Sequence, residues 1–309
     1  MELIKIAIGW LLGFIYELVN NYGVALILFT LVIKLILLPL GLKQQKSMTK
    51  MQQIQPKITK LQEKYKNDQQ LLSQETMKLY KEYGVSPMGG CLPLLIQLPV
   101  LFALYRVLYR PLTYMFGLAD EAVAEMAAQL FWNDATQSGL DLANTMAQIK
   151  IAEASEMINF NFLGLNLAEN PSFSVVASLA IPVLAGVTTY LTSKLTQWMN
   201  NGTKKTEEEE EKKPQRILNP EQKTAPSAGN AESMTKSMTV VMPIFTLWIT
   251  YTLPMALGVY WIASNIFSLG QTILLNGYYA KKLTKEIEDA DAVKIEAKSA
   301  KHNKKRRNK

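Results

Sequence analysis

Apolar residues along this chain are concentrated in long runs, separated by polar segments rich in Lys, Gln and Glu. The runs cover 24–42, 91–108 and 171–193, and an uncharged stretch then extends over 238–275. A bilayer-spanning helix needs about 20 apolar residues, a length that the first three runs approach. Leu253-Pro254 and Gly258 interrupt the last stretch, which therefore predicts two spans, 238–253 and 257–275. The pattern predicts an all-α polytopic membrane protein with five transmembrane helices.

Residues 1–19 form a shorter apolar segment. Charges at its two ends leave only 6–16 uninterrupted, which is short for a span. We expect an amphipathic helix lying in the outer membrane interface, with Trp10 and Tyr16 near the lipid headgroups. A sixth span is the alternative. No A-x-A-like cleavage site follows, which argues against a removable signal peptide.

Basic residues predict the orientation, because Lys and Arg accumulate in cytoplasmic loops. The segment 43–90 holds nine lysines, 194–237 holds eight Lys or Arg, and the tail 276–309 ends in KHNKKRRNK. The segment 109–170 instead carries eight acids against two basic residues. We therefore expect 109–170 to be an extracellular helical loop, and the other loops and the C-terminus to be cytoplasmic.

The segment 43–90 predicts a cytoplasmic helical hairpin. Apolar residues recur every three or four positions from Met51 to Tyr65 and again from Leu72 to Tyr83, with a turn at Lys66-Asn67-Asp68. The loop 194–237 contains five consecutive glutamates followed by Pro, Ser and Gly. Such a composition cannot bury apolar surface, so this loop is expected to be partly disordered.

Lys34 places a charge near the middle of the otherwise uncharged run 24–42. A central lysine costs about 2.5–3.5 kcal/mol on insertion scales. Its side chain could snorkel towards the cytoplasm, but Leu42 is about 12 Å away along a helix. Pro39 leaves the carbonyl of Leu35 without its usual donor and could kink the helix. Polar residues in the spans could link helices, or could line a water-containing cavity with Lys34. They include Thr30, Gln97, Thr188, Thr189, Ser264, Asn265, Ser268 and Gln271.

Several kinds of chemistry are unsupported by the sequence. His302 is the only histidine and Cys91 the only cysteine, which excludes histidine-based metal sites and an intramolecular disulfide. No glycine-rich phosphate loop occurs, and the acids cluster outside the spans. We expect no catalytic site, no metal and no cofactor. The residues alone leave open a transporter or channel with Lys34 as an anion site, an assembly scaffold, or an insertase.

Three motifs distinguish these classes: NNYGVALILFTLVIKLILLPL at 20–40, YGVSPMGGCLPLLIQLPV at 83–100 and LPMALGVYWIASNIFSLGQ at 253–271. On these motifs the chain resembles the YidC/Oxa/Alb membrane-protein insertases, in the five-span form typical of Gram-positive bacteria. The resemblance implies five helices around a hydrophilic groove that is open to the cytoplasm. The long acidic loop and the Glu-rich loop depart from the short loops usual in that family.

The resemblance also implies the groove residues. The family carries a cation in the first core span, usually arginine, and Lys34 is the matching position. Trp261 matches an aromatic or polar groove position, and Gln97 lies in the motif G-C-L-P-x-x-I-Q. Thr30, Thr188 and Asn265 are expected nearby. Lysine keeps the positive charge but lacks the planar fork with which arginine makes bidentate contacts.

The function implied is insertion and folding of newly made membrane proteins in a bacterial cell membrane, alone or with the Sec translocon. Its partners would be the lipid bilayer and nascent chains, with short acidic outward tails favoured. The basic tail could serve only to fix topology, or could contact RNA or anionic lipid. A ribosome contact would use Lys304, Lys305, Arg306 and Arg307.

Overall fold

The computed structural model describes residues 2–66, 68–85, 92–131, 140–142, 146–201 and 231–275, and these are mostly helical. The helices are α1 (Glu2–Val19), α2 (Tyr22–Ile36), α3 (Leu38–Gln53), α4 (Gln55–Lys64), α5 (Gln69–Glu82), α6 (Leu92–Tyr109), α7 (Pro111–Tyr114), α8 (Asp120–Phe131), α9 (Ala147–Ala154), α10 (Ala180–Asn201) and α11 (Ala231–Thr252). A last helix, α12, covers 255–275. The mostly helical fold expected from the sequence is confirmed. The predicted tail contacts at 304–307 lie outside the described residues.

The segment between α9 and α10 contains a small β-hairpin. Strand β1 (Asn161–Phe162) pairs antiparallel with β2 (Leu165–Asn166). The two residues between the strands, Leu163 and Gly164, both have positive φ, 52° and 79°. Two successive positive φ angles are typical of the tight turns whose twist matches that of the strands.

The chain divides into two compact units. The first comprises residues 1–39, 93–193 and 239–269, and the second comprises 40–92, 194–238 and 270–309. The core of the first unit contains fully buried side chains from α1, α2, α6 and α12, including Leu12, Phe29, Leu104 and Tyr260. Burying a side chain such as Leu12 or Phe29 contributes about 1.5–3 kcal/mol.

The second unit has its own small core where α4 and α5 form a helical hairpin. Ile54 and Ile58 are 0% and 1% exposed and pack with Tyr80 and Val85. Asp68 caps α5 by accepting a hydrogen bond from the N–H of Leu71 at 2.9 Å. This cap fixes the turn between the two helices, since the first N–H groups of a helix have no partner within it.

Apolar side chains also cover outward faces of the helices. In α10, Val183, Val187 and Leu191 are each almost half exposed, and in α11 Ile244 and Trp248 are about 60% exposed. Spacings of four residues place each set on one helix face. Exposed apolar patches of this extent are unfavourable in water and suit contact with lipid.

Among the described residues, one continuous helical stretch is by itself long and apolar enough to cross a membrane. It covers Val176–Thr196 and so includes most of α10. The pair Tyr22–Ile36 and Leu38–Lys64 meets the same criteria only when taken together, and Gln97–Tyr109 and Thr239–Thr252 are shorter apolar helices. The five-span arrangement therefore stays a prediction.

The structure interrupts the helix predicted over 24–42. Helix α2 ends at Ile36, and α3 begins at Leu38 with Pro39 in its first turn. Proline is well accommodated there because the first N–H groups of a helix lack an intrahelical partner. Consequently the cation at residue 34 lies in the last turn of α2 and not in the middle of a continuous helix.

The segment 109–170 is attached by backbone hydrogen bonds to the first turns of α2 and α12. The N–H of Tyr22 donates to the carbonyl of Asn159 at 3.0 Å. The N–H groups of Met255 and Ala256 donate to the carbonyls of Glu169 and Leu167 at 2.9 and 3.0 Å. The loop therefore satisfies donors that a helix start would leave unpaired.

Helix α1 packs against α2 and does not present Tyr16 to the surface. Tyr16 is 4% exposed, and its hydroxyl accepts a hydrogen bond from the N–H of Asn159 at 2.7 Å. The 109–170 loop therefore covers Tyr16, and its expected position near the headgroups stays a prediction. Trp10 is 64% exposed and lies on an apolar face with Phe14.

Candidate functional site

The candidate site is built around the Lys34 ammonium. Lys34 is half-buried, and its Nζ donates a hydrogen bond to Ser268 Oγ of α12 at 3.1 Å. Its place in the last turn of α2 is favourable for a cation, because the unpaired carbonyls at a helix C-terminus carry partial negative charge. No carboxylate among the described residues forms an ion pair with it.

Ser268 is oriented by its own helix. Its hydroxyl donates to the carbonyl of Ser264 at 2.8 Å. A serine hydroxyl has one hydrogen and two lone pairs. Since the hydrogen is engaged within α12, the lone pairs remain to accept the hydrogen bond from Lys34.

Thr30 lies one turn before Lys34 in α2 and is 2% exposed. Its hydroxyl donates to the carbonyl of Leu26 at 2.7 Å. A threonine that bonds back to its own helix satisfies its donor locally. Thr30 is therefore close to Lys34 along the helix, with its hydroxyl hydrogen used within α2.

A second polar contact links α12 to α10. The side-chain amide of Asn265 donates to Thr188 Oγ1 at 3.1 Å and to Thr189 Oγ1 at 2.9 Å. The Thr189 hydroxyl donates in turn to the carbonyl of Ala185 at 2.8 Å, and the Thr188 hydroxyl is shared between the carbonyls of Leu184 at 2.8 Å and Ala185 at 3.1 Å. The structure thus brings together two of the predicted residues, Thr188 and Asn265, and adds Thr189.

We expect Asn265→Ala to weaken the packing of α12 on α10. Interhelical hydrogen bonds in membrane proteins contribute about 0.6 kcal/mol on average and up to about 1.7 kcal/mol, so the loss should fall in that range. The measurement is unfolding of the purified protein in detergent. Thr250→Val is the control, because the Thr250 hydroxyl bonds within α11 to the carbonyl of Thr246. An equal loss in both variants would reject the interhelical role.

The remaining two predicted residues lie on α6 and α12. The Gln97 amide donates to the hydroxyl of Tyr260, which is 2% exposed. Trp261 follows Tyr260 in α12 and is half-buried. Gln97 therefore links α6 to α12, and its amide is engaged with a buried phenol.

Helix α12 supplies a partner to each of these contacts. Tyr260, Ser264 and Ser268 recur every four residues and so lie on one face of α12, while Asn265 reaches α10. From the sequence, Ser268 and Thr189 are recognisable only as polar residues within spans, and Tyr260 is not distinguishable from a core residue. The four-residue spacing in α12 was the signal that could have identified this face.

The chemistry available here is attraction and hydrogen bonding. Among the residues that the structure describes, no cluster of His, Cys, Asp or Glu is suited to a metal ion. A lysine ammonium has three N–H donors and no acceptor. With one N–H on Ser268 and no other partner among the residues that the structure describes, Lys34 retains two N–H donors, which suits it to hold an anionic or carbonyl group.

Comparison with known proteins identifies the family. The family model described as "60Kd inner membrane protein" matches residues 14–282. The chain belongs to the YidC/Oxa/Alb family of membrane-protein insertases. The resemblance drawn from the three sequence motifs is therefore confirmed. This family consists of proteins of the inner or cell membrane.

Relatives carrying the YidC name match this chain, two of those described here over most of its length and one over about a third. A membrane protein insertase YidC from Fusobacterium nucleatum is 32% identical over 270 residues, 87% of this chain and 93% of that protein. One from Clostridium tetani is 34% identical over 266 residues, covering 84% and 86% of the two chains. A third, from Syntrophus aciditrophicus, is 59% identical over 97 residues, 31% of this chain and 18% of that protein.

Proposed function

We propose that this YidC/Oxa/Alb family member inserts newly made membrane proteins into the bacterial cell membrane and assists their folding. The observation that carries the proposal is Lys34, a cation in an apolar helix whose hydrogen-bond partner is a neutral serine. A resident ligand site would be expected to neutralise such a charge. A site through which a substrate chain only passes must attract that chain without forming a lasting ion pair with it.

We further propose that Lys34, Gln97, Thr188, Trp261 and Asn265 line a hydrophilic groove open to the cytoplasm, with Thr30 buried beside it, one turn before Lys34. Polar contacts from α2, α6 and α10 all reach α12, which supports a shared polar region within the first unit. Water in such a region would reduce the cost of keeping the lysine charged. It would also shorten the apolar distance that the polar tail of a substrate must cross.

The proposed mechanism uses no covalent step. The outward-going tail of the substrate, often acidic, enters the groove and is attracted briefly to Lys34. The apolar segment then moves into the lipid, driven by the hydrophobic effect and, for the charged tail, by the membrane potential. The protein would act on its own or with the Sec translocon, and the basic tail would bring the ribosome close.

The proposed orientation rests on charge. The acidic 109–170 loop would face outwards, and the segments 43–90, 194–237 and 276–309, which contain many Lys and Arg residues, would face the cytoplasm. The outward loop would then cover the starts of α2 and α12, to which it is hydrogen-bonded. This arrangement favours a groove closed on the outer side over a channel for ions.

Site-specific photocrosslinking in cells tests the insertase role. A crosslinker introduced at Thr188 or Trp261 should form adducts with a nascent membrane protein during its insertion. The control position is Leu163, which is 87% exposed at the tip of the β-hairpin and should give little crosslinking to early intermediates. Adducts at Leu163 alone, or none at any of the three positions, would contradict the groove.

A further inference from the structure

We infer that Ser268 is a positioning residue for Lys34 and thereby sets how strongly the protein responds to acidic substrate tails. The inference rests on the proposed function. Its basis is a two-step hydrogen-bond chain, in which Lys34 Nζ donates to Ser268 Oγ at 3.1 Å and Ser268 Oγ donates to the Ser264 carbonyl at 2.8 Å. Because Ser268 donates its only hydrogen to Ser264, it can only accept the hydrogen bond from Lys34.

These two hydrogen bonds keep Ser268 as an acceptor towards Lys34. With its only hydrogen committed to Ser264, Ser268 offers lone pairs towards α2 and cannot compete with Lys34 for an incoming carboxylate. Ser264 is 8% exposed, so its carbonyl lies in a well-packed part of the unit. The anchor for the lysine is therefore a fixed helix and not a mobile side chain.

The two residues also lie at similar distances along their helices from the first turns of α2 and α12. The first turns of α2 and α12 are both bonded to the 109–170 loop, at Tyr22 and Met255. Lys34 is 12 residues beyond the first of these and Ser268 is 13 beyond the second, which correspond to about 18 and 20 Å of helix. The shared anchor keeps Ser268 in register with Lys34.

An ammonium group needs such a partner more than a guanidinium does. Lysine is a compact charge on a flexible stem, so without a contact its end samples many positions. One hydrogen bond to Ser268 limits that freedom and leaves two N–H donors for a passing carboxylate. Arginine, which is usual at this position in the family, carries a rigid fork of five donors and needs less external orientation.

The test compares two substrates that differ only in the charge of the outward tail. One tail contains acidic residues, and in the other each Asp or Glu is replaced by Asn or Gln. Ser268→Ala should slow insertion of the acidic-tailed substrate about twofold to tenfold, the range expected for loss of one hydrogen bond. Insertion of the neutral-tailed substrate should be unchanged.

Two further substitutions keep the test decisive if alanine disturbs folding. Ser268→Thr retains the hydroxyl and should behave like the natural protein, whereas Ser268→Cys retains the size with a weak acceptor and should behave like Ser268→Ala. Thr250→Ala is the matched control, because that hydroxyl bonds to Thr246 in its own helix. It should leave both substrates unaffected.

A double substitution separates positioning from general packing. In the Lys34→Ala background, Ser268→Ala should cause no additional loss, since residues acting through one another are not additive. In the Lys34→Arg background its effect should be reduced. Equal slowing of acidic and neutral tails, or full additivity with Lys34→Ala, would overturn the inference. If Lys34→Ala itself changes nothing, the proposed charge role fails first, which is a distinguishable result.

Discussion

Lys34→Ala should reduce insertion of a membrane protein with an acidic outward tail by about tenfold or more, a change that corresponds to 1.4 kcal/mol. Two opposite charges 4 Å apart attract by about 4 kcal/mol at an effective dielectric constant of 20. Desolvation of the carboxylate offsets part of this attraction. The expected tenfold reduction corresponds to about a third of the attraction between the two charges. The measurement is the insertion rate into vesicles containing the purified protein, with a substrate of defined tail charge.

Two other substitutions at the same position separate charge from size. Lys34→Met retains a long unbranched side chain without charge and should resemble Lys34→Ala. Lys34→Arg should retain most of the activity, although its larger head cannot reproduce the geometry of the Ser268 contact. If the methionine and arginine variants insert acidic tails equally well, the charge role of Lys34 is wrong.

Gly9→Ala and Gly13→Ala should each destabilise the first unit by about 1–3 kcal/mol, the usual effect of overpacking. Helix α1 approaches the main chain of α7 at these glycines. A Cβ at Gly9 would lie 2.3 Å from the carbonyl oxygen of Tyr114, and one at Gly13 would lie 2.6 Å from that of Met115. Because the obstacle is backbone, side-chain rotation cannot relieve the clash. Thermal unfolding in detergent measures the loss.

Gly270→Ala in α12 is the matched control for this pair. A Cβ at Gly270 meets nothing within 4 Å, so alanine there should be neutral or should stabilise the helix by about 0.5–1 kcal/mol. If Gly9→Ala proves as stable as Gly270→Ala, α1 does not pack on α7 as closely as described.

The helices were predictable from local pattern, but one important boundary was not. Apolar runs and lysine-rich amphipathic segments indicated helices in the right parts of the chain. Pro39 was compatible with either a kink or a new helix, because proline is excluded from the helix interior and accepted in a first turn. The structure ends α2 at Ile36. That boundary converts Lys34 from a central charge into one at a helix C-terminus.

The sequence pattern also does not determine which aromatic residues are buried. Tyr16 and Trp10 fall in the same apolar segment, and sequence pattern alone suggested the membrane interface for both. The structure buries Tyr16 because Asn159, more than 140 residues later, donates to its hydroxyl. Such a contact depends on where a distant loop returns, and local hydrophobic spacing carries no information about that.

For the candidate site, the sequence indicated which spans carry polar groups but not which groups meet. Lys34 and Ser268 are separated by 234 positions, and Asn265 and Thr188 by 77. Their pairing depends on the rotation and vertical register of whole helices. Tyr260 was overlooked because a tyrosine in an apolar run is usually core, and only its contact with Gln97 distinguishes it.

The attachment of α2 and α12 to the 109–170 loop has a mechanical consequence. Each helix is tethered at its first turn, so a change in the angle between them produces a displacement that grows with distance from the tether. At about 18 Å, a relative tilt of about 3° moves the facing side chains apart by about 1 Å. That shift is enough to break a hydrogen bond of 3.1 Å. The hydrogen bond between Lys34 and Ser268 would thus break when α2 and α12 are separated, for example by a substrate that enters between them.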